Sequence, residues 1–240
     1  MVDVQDLLTT ALLTPRGFLA NASNHTLLVQ VGARALGVHA VYKPRRGERP
    51  LWDFPGGTLC NREAAAYVVS DFLGWGIVPP TVLREEGPMG PGSLQLFVSH
   101  DPELHYFVLV DDPDRHAALA RMALFDLVVN NADRKASHVM LGDDGAIRGC
   151  DHGLTFHPEP KLRTVIWELG GMPIPSEQKA DLARLAAAVA DRSDPVTSRL
   201  LALLDPAEVE ALGERAEILR SLRRLPDVEP QLRPYPWPPL

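Results

Sequence analysis

Apolar positions along the chain change period several times, and each change marks an element. Residues 4–13 repeat at helical spacing, with Val4, Leu7, Leu8 and Leu12 on one face and Pro15 as the expected stop. Residues 17–20, 26–31 and 37–43 read as three short strands, a small β-meander with a polar turn at 21–25. Residues 44–59 hold Pro, Gly and Arg without periodicity and read as loop. Asn61 then suits the cap of a helix over 62–73, whose Ala65, Val68, Val69 and Phe72 share a face and whose stop is Gly74. Further strands are expected at 93–98 and 105–110, joined by an acidic loop.

The second half is patterned differently. Asp112 before Pro113 is a helix-start signal, and Ala118, Met122, Phe125 and Val129 form the buried stripe of a helix that breaks at Asn130–Asn131. The stretch DLVVNNADRKASHVMLGDDGAIRGCDHGLTF follows over 126–156. It holds two acidic pivots, Asp133 in a polar loop and Asp151 in a DHG tripeptide, eighteen residues apart and joined by what reads as a hairpin of two apolar strands. Asp126 reads as a structural residue at a helix end. Residues 157–175 are irregular, whereas 176–191 and 205–224 are amphipathic helices with SEQ and DPAE as cap signatures. The last fifteen residues carry six prolines and are expected to be extended or disordered. This order predicts an α+β chain in two lobes: an N-lobe over 1–98, a mainly helical C-lobe over 99–225 and a Pro-rich tail over 226–240.

Composition narrows the function. With 240 residues, 45% hydrophobic and 23% charged, the chain can bury a substantial core. A net charge of −7 argues against nucleic acid as the main partner. No run approaches the ~18 apolar residues of a membrane-spanning helix, and the N-terminus lacks signal-peptide features, so a cytoplasmic protein without stable membrane insertion is expected. Cys60 and Cys150 are far apart and in no CxxC spacing, which suits reduced thiols.

The chemistry-bearing residues come in a particular order. Lys43 ends a strand reading AVYK, and Glu63 follows near the start of a helix. Solvation and the helix dipole alone would also suit these two residues. Asp133 precedes His138 by five residues, and Asp151 returns to the same cleft after the hairpin; taken singly, both aspartates also suit turns. A phosphotransfer centre needs one carboxylate to orient or deprotonate an acceptor and another to hold a metal ion. Arg45, Arg46 and Arg49 suit either a phosphate-rich ligand or a solvated loop. Trp52, Phe54 and Trp75 read as packing anchors, and Lys161, Arg163 and Trp167 as a substrate-facing segment.

AVYK resembles the VAIK strand of kinases, NNADRKASH resembles their HRDxxxxN loop and the DRHxxN loop of phosphoinositide kinases, and DHG resembles DFG. More narrowly, VYKPRRGERPLWDFPGGTL, GWGIVPPTV and NNADRK…DHGLTF are similar to a bacterial family of unassigned activity, mainly from actinobacteria, placed in the phosphatidylinositol 3-/4-kinase-related group. The resemblance implies a two-lobed atypical protein-kinase-like fold using ATP with Mg²⁺ or Mn²⁺ to phosphorylate a hydroxyl of a soluble, lipid or protein acceptor. It implies phosphate contact by Lys43, pairing by Glu63, catalysis by Asp133 with Lys135 offsetting charge, and metal binding by Asp151 and His138. Gln95, Leu96 and Phe97 would form the adenine-holding hinge, and Ser23 and Asn24 the phosphate-covering turn. His138 stands where asparagine is expected and Lys135 where histidine is, which leaves open a nucleotide-binding pseudokinase acting as a regulatory module. A metal-dependent hydrolase built on Asp133, His138, Asp151 and His152 would leave Lys43 and Glu63 unexplained.

Overall fold

The computed structural model describes residues 3–19, 26–33, 37–228 and 234–240. A first helix, α1 (Val4–Thr10), starts at Asp3, whose side chain accepts from the Gln5 amide. It ends well before Pro15, which sits inside strand β1 (Leu13–Phe18). Proline is tolerated there because β1 is an edge strand, and the register slips between Pro15 and Gly17. Strands β2 (Leu27–Val31), β3 (Val38–Pro44), β4 (Thr81–Arg84) and β5 (Gly92–Leu96) complete an antiparallel sheet ordered β1-β2-β3-β5-β4. The short β4, also an edge strand, follows two prolines and shows too few alternating positions to be read as a strand.

Helix α2 spans Leu59–Leu73 and starts two residues before its expected cap. Its first amides are satisfied by Glu48, which accepts from Leu59 and Cys60, so Asn61 lies within the first turn and Glu63 just beyond it. Gly74 ends the helix in the left-handed conformation at φ 70°, as expected. Almost every face of α2 is buried, so this helix is packed between neighbours rather than laid on a surface.

Residues 105–110 do not form a strand. Their aromatic and β-branched composition misleads, because Tyr106 and Leu109, three apart, are both buried by a single helical turn, α3 (Tyr106–Leu109). Pro113–Arg115 forms a 3₁₀ turn behind the Asp112 cap and leads into α4 (His116–Val129). The predicted hairpin is present as β6 (Val139–Leu141) and β7 (Ile147–Gly149). Helices α5 (Ser176–Ala190), α6 (Pro195–Leu201) and α7 (Pro206–Ser221) follow; Asp205 and Glu208 make the expected capping box of α7. The seven-residue α6 is too short to show a period. At α5 the helix follows Pro175 without a side-chain cap.

Two apolar clusters result. The smaller joins Leu8 of α1 to Val29, Val31, Ala40, Tyr42 and Leu94 of the sheet. The larger contains α4, α5 and α7 together with α2. The helix that carries Glu63 is therefore held by the larger core. Of the three expected packing aromatics, Phe54 and Trp75 are buried, but Trp52 is 90% exposed, its ring lying over the Lys161 ammonium at 4.9 Å. Described tail residues 234–240 pack down: Pro234 accepts from Thr164 and Trp167, Pro239 accepts from Ala136, and Pro234 and Pro236 are buried. Among the described residues no helix is long and apolar enough to cross a membrane.

Candidate active site

Strand pairing places Lys43 near the end of β3, opposite Ser93 of β5. Its side chain leaves the sheet toward α2, where the ammonium donates to Glu63, and reaches Asp151 Oδ1 at 3.0 Å. The other oxygen of Glu63 accepts from the backbone amide of His152 at 3.0 Å. One buried carboxylate thus ties the β3 lysine to the DHG segment. Burial alone would depress the Lys43 ammonium, but Asp151 and then Glu63 hold it well above the ordinary lysine range. Lys43, in turn, holds the Asp151 carboxyl far below the usual carboxylate range against the opposing effect of burial. Burial raises Glu63 despite Lys43.

The catalytic-loop candidate is anchored from beneath. Asp126 and Arg134 are both fully buried and paired at 3.0 Å, with two further bonds from Arg134 Nε to the same carboxylate. The remaining guanidinium donors reach the Cys150 carbonyl at 2.8 Å and His152 Nε2 at 2.7 Å. Asp126 also accepts from Asn131, whose own oxygen accepts from the Asp133 amide. This web joins the end of α4, the loop and the residues flanking Asp151. Sequence patterning passes over Arg134; the available signal is an arginine directly after Asp133 in the polar loop, eight positions after an aspartate near the end of an apolar helix.

Asp133 has Lys135 Nζ 3.6 Å away, yet its carboxyl is pushed up to about 6, because burial outweighs Lys135 and Asp151 adds repulsion. His138 is pushed down to about 4 by burial, against the pull of Asp151, so its ring is neutral near pH 7. Its Nδ1 lies 3.0 Å from the Asp133 carbonyl oxygen and 3.4 Å from the Lys135 amide; the shorter contact, to an oxygen that only accepts, assigns the hydrogen to Nδ1 at the expense of the longer one and leaves Nε2 bare. That bare nitrogen faces Asp151 Oδ2 at 3.5 Å. Two acceptors facing each other with no donor between them make an arrangement that a cation would stabilise. Asp151 itself has φ 57°, a left-handed backbone that an aspartate tolerates better than most residues.

A cavity of about 230 Å³ joins these parts: Lys43, Glu63 and Asp151 line it with Asp133, Lys135, Glu48, Arg49 and Leu51. Gln95, Leu96 and Phe97 do not line it. Gln95 donates to Thr81, and the Leu96 and Phe97 amides are engaged by the Pro80 and His39 carbonyls, so these two amides are not available to a base edge. Ser23 and Asn24 lie outside the described residues. Arg45 bonds Asn61 at the start of α2. Of the expected substrate-facing segment, Lys161 pairs with Asp53, the Arg163 carbonyl accepts from the Arg134 amide, and Trp167 donates to Pro234. Cys60 and Cys150 are free thiols, both pushed up to about 11 by burial. A larger groove among α5, α6 and α7 contains none of the residues that line the Lys43 cavity.

No protein-family model matches the chain. Protein Rv2133c of Mycobacterium tuberculosis (strain ATCC 25618 / H37Rv) is 40% identical over 271 aligned residues, covering 98% of this chain and 95% of that protein. The structure of hydra Fam20 with sugar superposes with a TM-score of 0.61 at 15% identity, covering 90% of this chain and 86% of the other. The Helicobacter pylori proinflammatory kinase CtkA gives a TM-score of 0.43 at 12% identity, over 90% of this chain and 98% of the other. The architecture is an atypical kinase-like fold, mixed α/β with an antiparallel sheet. At that identity and coverage, the chain belongs to the family of Protein Rv2133c.

Proposed function

We propose that the chain is a phosphotransferase that moves the γ-phosphoryl group of ATP to a hydroxyl of a soluble, lipid or protein acceptor. The observation that carries this reading is the Lys43 ammonium shared by Glu63 and Asp151 at a cavity that Asp133 also lines. Kinase chemistry is mostly positioning and charge neutralisation, and this cavity offers groups for both. Lys43 is placed to hold nucleotide phosphates. Asp133, with a carboxyl at about 6, is placed to orient the acceptor hydroxyl and take its proton. Lys135 offsets charge beside it.

Asp151 and the bare Nε2 of His138 fit a divalent cation as a two-donor site. Among the described residues no group of three or more metal-ligating side chains occurs, which suits an ion completed by phosphate oxygens and water. Such an ion would neutralise phosphate charge during transfer. An imidazole nitrogen favours Mn²⁺ over the harder Mg²⁺. Assignment to the phosphatidylinositol 3-/4-kinase-related group belongs to this proposal, and nucleic acid has no part in it.

His138 also supports a second reading, a pseudokinase that holds nucleotide without turnover. Thermal-shift titration with ATP and Mg²⁺ or Mn²⁺, followed by measurement of γ-phosphate release, separates the two. Stabilisation with metal-dependent turnover supports the phosphotransferase. Stabilisation without turnover under either metal supports the pseudokinase, and absence of any nucleotide effect defeats both.

A further inference from the structure

We propose that Arg62 is a positioning residue that bolts α2 to the helical half of the molecule, so that the Lys43–Glu63 pair is built closed instead of being switched. The proposal rests on the phosphotransferase reading for its meaning, while its geometry is independent of it. In protein kinases the helix bearing the equivalent glutamate is a control element, because catalysis requires the lysine–glutamate pair and helix placement decides whether it forms. The equivalent helix here has little freedom to move.

Arg62 and Glu63 are adjacent on α2 and face different partners. Glu63 takes Lys43 and the His152 amide. Arg62 is 1% exposed; its Nη2 meets Glu208 Oε1 of α7 at 2.5 Å and its Nη1 donates to the Thr155 carbonyl at 2.6 Å. The guanidinium also lies over the Phe54 ring at 5.0 Å. Glu208 is itself fixed, since its other oxygen accepts from the Asp205 amide in the capping box of α7. Beside Arg62, Asn61 donates to the Leu203 carbonyl after α6. One buried guanidinium therefore joins α2, the segment just past Asp151, and α7. Withdrawing α2 from Lys43 would strip that charge of its partner in a site with almost no access to water. The ion pair spans 146 residues of sequence, and nothing local in the chain announces it.

The test uses full-length Arg62→Met, Lys43→Met and the double variant, with affinity for a nonhydrolysable ATP analogue plus Mn²⁺ read by calorimetry. Arg62→Met should weaken binding about tenfold, the size of a typical coupling within one network, and should add nothing once Lys43 is absent. Equal losses in both backgrounds would show a merely structural role and overturn the proposal. A second reading needs no nucleotide: amide exchange at His152, whose N–H is held by Glu63, should accelerate in Arg62→Met while amides of α4 keep their protection. Unchanged exchange at His152 overturns the proposal. If Arg62→Met does not fold, Glu208→Gln, which keeps the shape but removes the charge, should accelerate the same amide, and its failure to do so is equally decisive. Absence of nucleotide binding in the unmodified protein would defeat the phosphotransferase reading and leave the exchange result to judge Arg62.

Discussion

The two carboxylates at the ends of the β6–β7 hairpin are the same side chain in opposite surroundings. Asp151, with a side chain 45% exposed, is the carboxyl held low, because Lys43 is 3.0 Å away. Asp133 is less exposed, and its cation, Lys135, stands at 3.6 Å; burial wins and the carboxyl rises to about 6. Exposure and the distance of the nearest cation order the two groups in the same direction. The result divides the labour in the way phosphoryl transfer needs, with one carboxylate ionised at every working pH and the other poised to exchange a proton near neutrality.

The comparison can be broken most sharply at Asp151. Asp151→Asn should lower ATP turnover roughly 10³-fold or more, since it removes both the Lys43 partner and a metal donor. Asp133→Asn should cost on the order of 10²–10⁴-fold, the range for a lost general base, with little change in the KM for ATP. If the two variants fail in the same way, with nucleotide affinity lost in both, the division of labour is wrong.

A third variant, Asp126→Asn, probes the support beneath both carboxylates. It leaves Arg134 buried without a full charge partner and should lower unfolding free energy by about 3–5 kcal/mol in a denaturant titration. His138→Asn should change the ratio of Mg²⁺- to Mn²⁺-supported turnover toward Mg²⁺, because it replaces a nitrogen donor with an oxygen donor. The smallest effect is expected at the hairpin turn itself. Asp144 pairs with Arg148 in the open, and Asp144→Asn should leave turnover within about twofold, as isolated surface pairs contribute little.

Much of the carboxylate side of this site was legible from sequence. Asp133, His138 and Asp151 lie on a local loop and hairpin whose apolar runs and turn residues show directly, so their spacing predicts a common cleft. The structure brings them together with Lys43. What is not legible depends on distant pairing: Arg62 with Glu208, Lys161 with Asp53, and the Pro239 carbonyl with the Ala136 amide in the loop after Asp133. Glu208 fits the cap signature DPAE and is a cap residue, but its second oxygen holds Arg62, which no local pattern encodes. The misread strand at 105–110 and the missed α6 are both elements of one or two turns, where burial of particular side chains overrides propensity. Trp52 departed from its expected packing role because a loop tip placed its ring on Lys161 instead of in the core.

The pH dependence of ATP turnover with saturating nucleotide and Mn²⁺ tests the central claim most directly, compared between the unmodified protein and Asp133→Asn. A carboxyl raised to about 6 must lose its proton to act, so turnover should fall as pH drops through about 6, and the residual turnover of Asp133→Asn should lack that limb. An acid limb near 4 in the unmodified protein, or one near 6 that survives in Asp133→Asn, would contradict the assignment of Asp133 as the poised carboxylate.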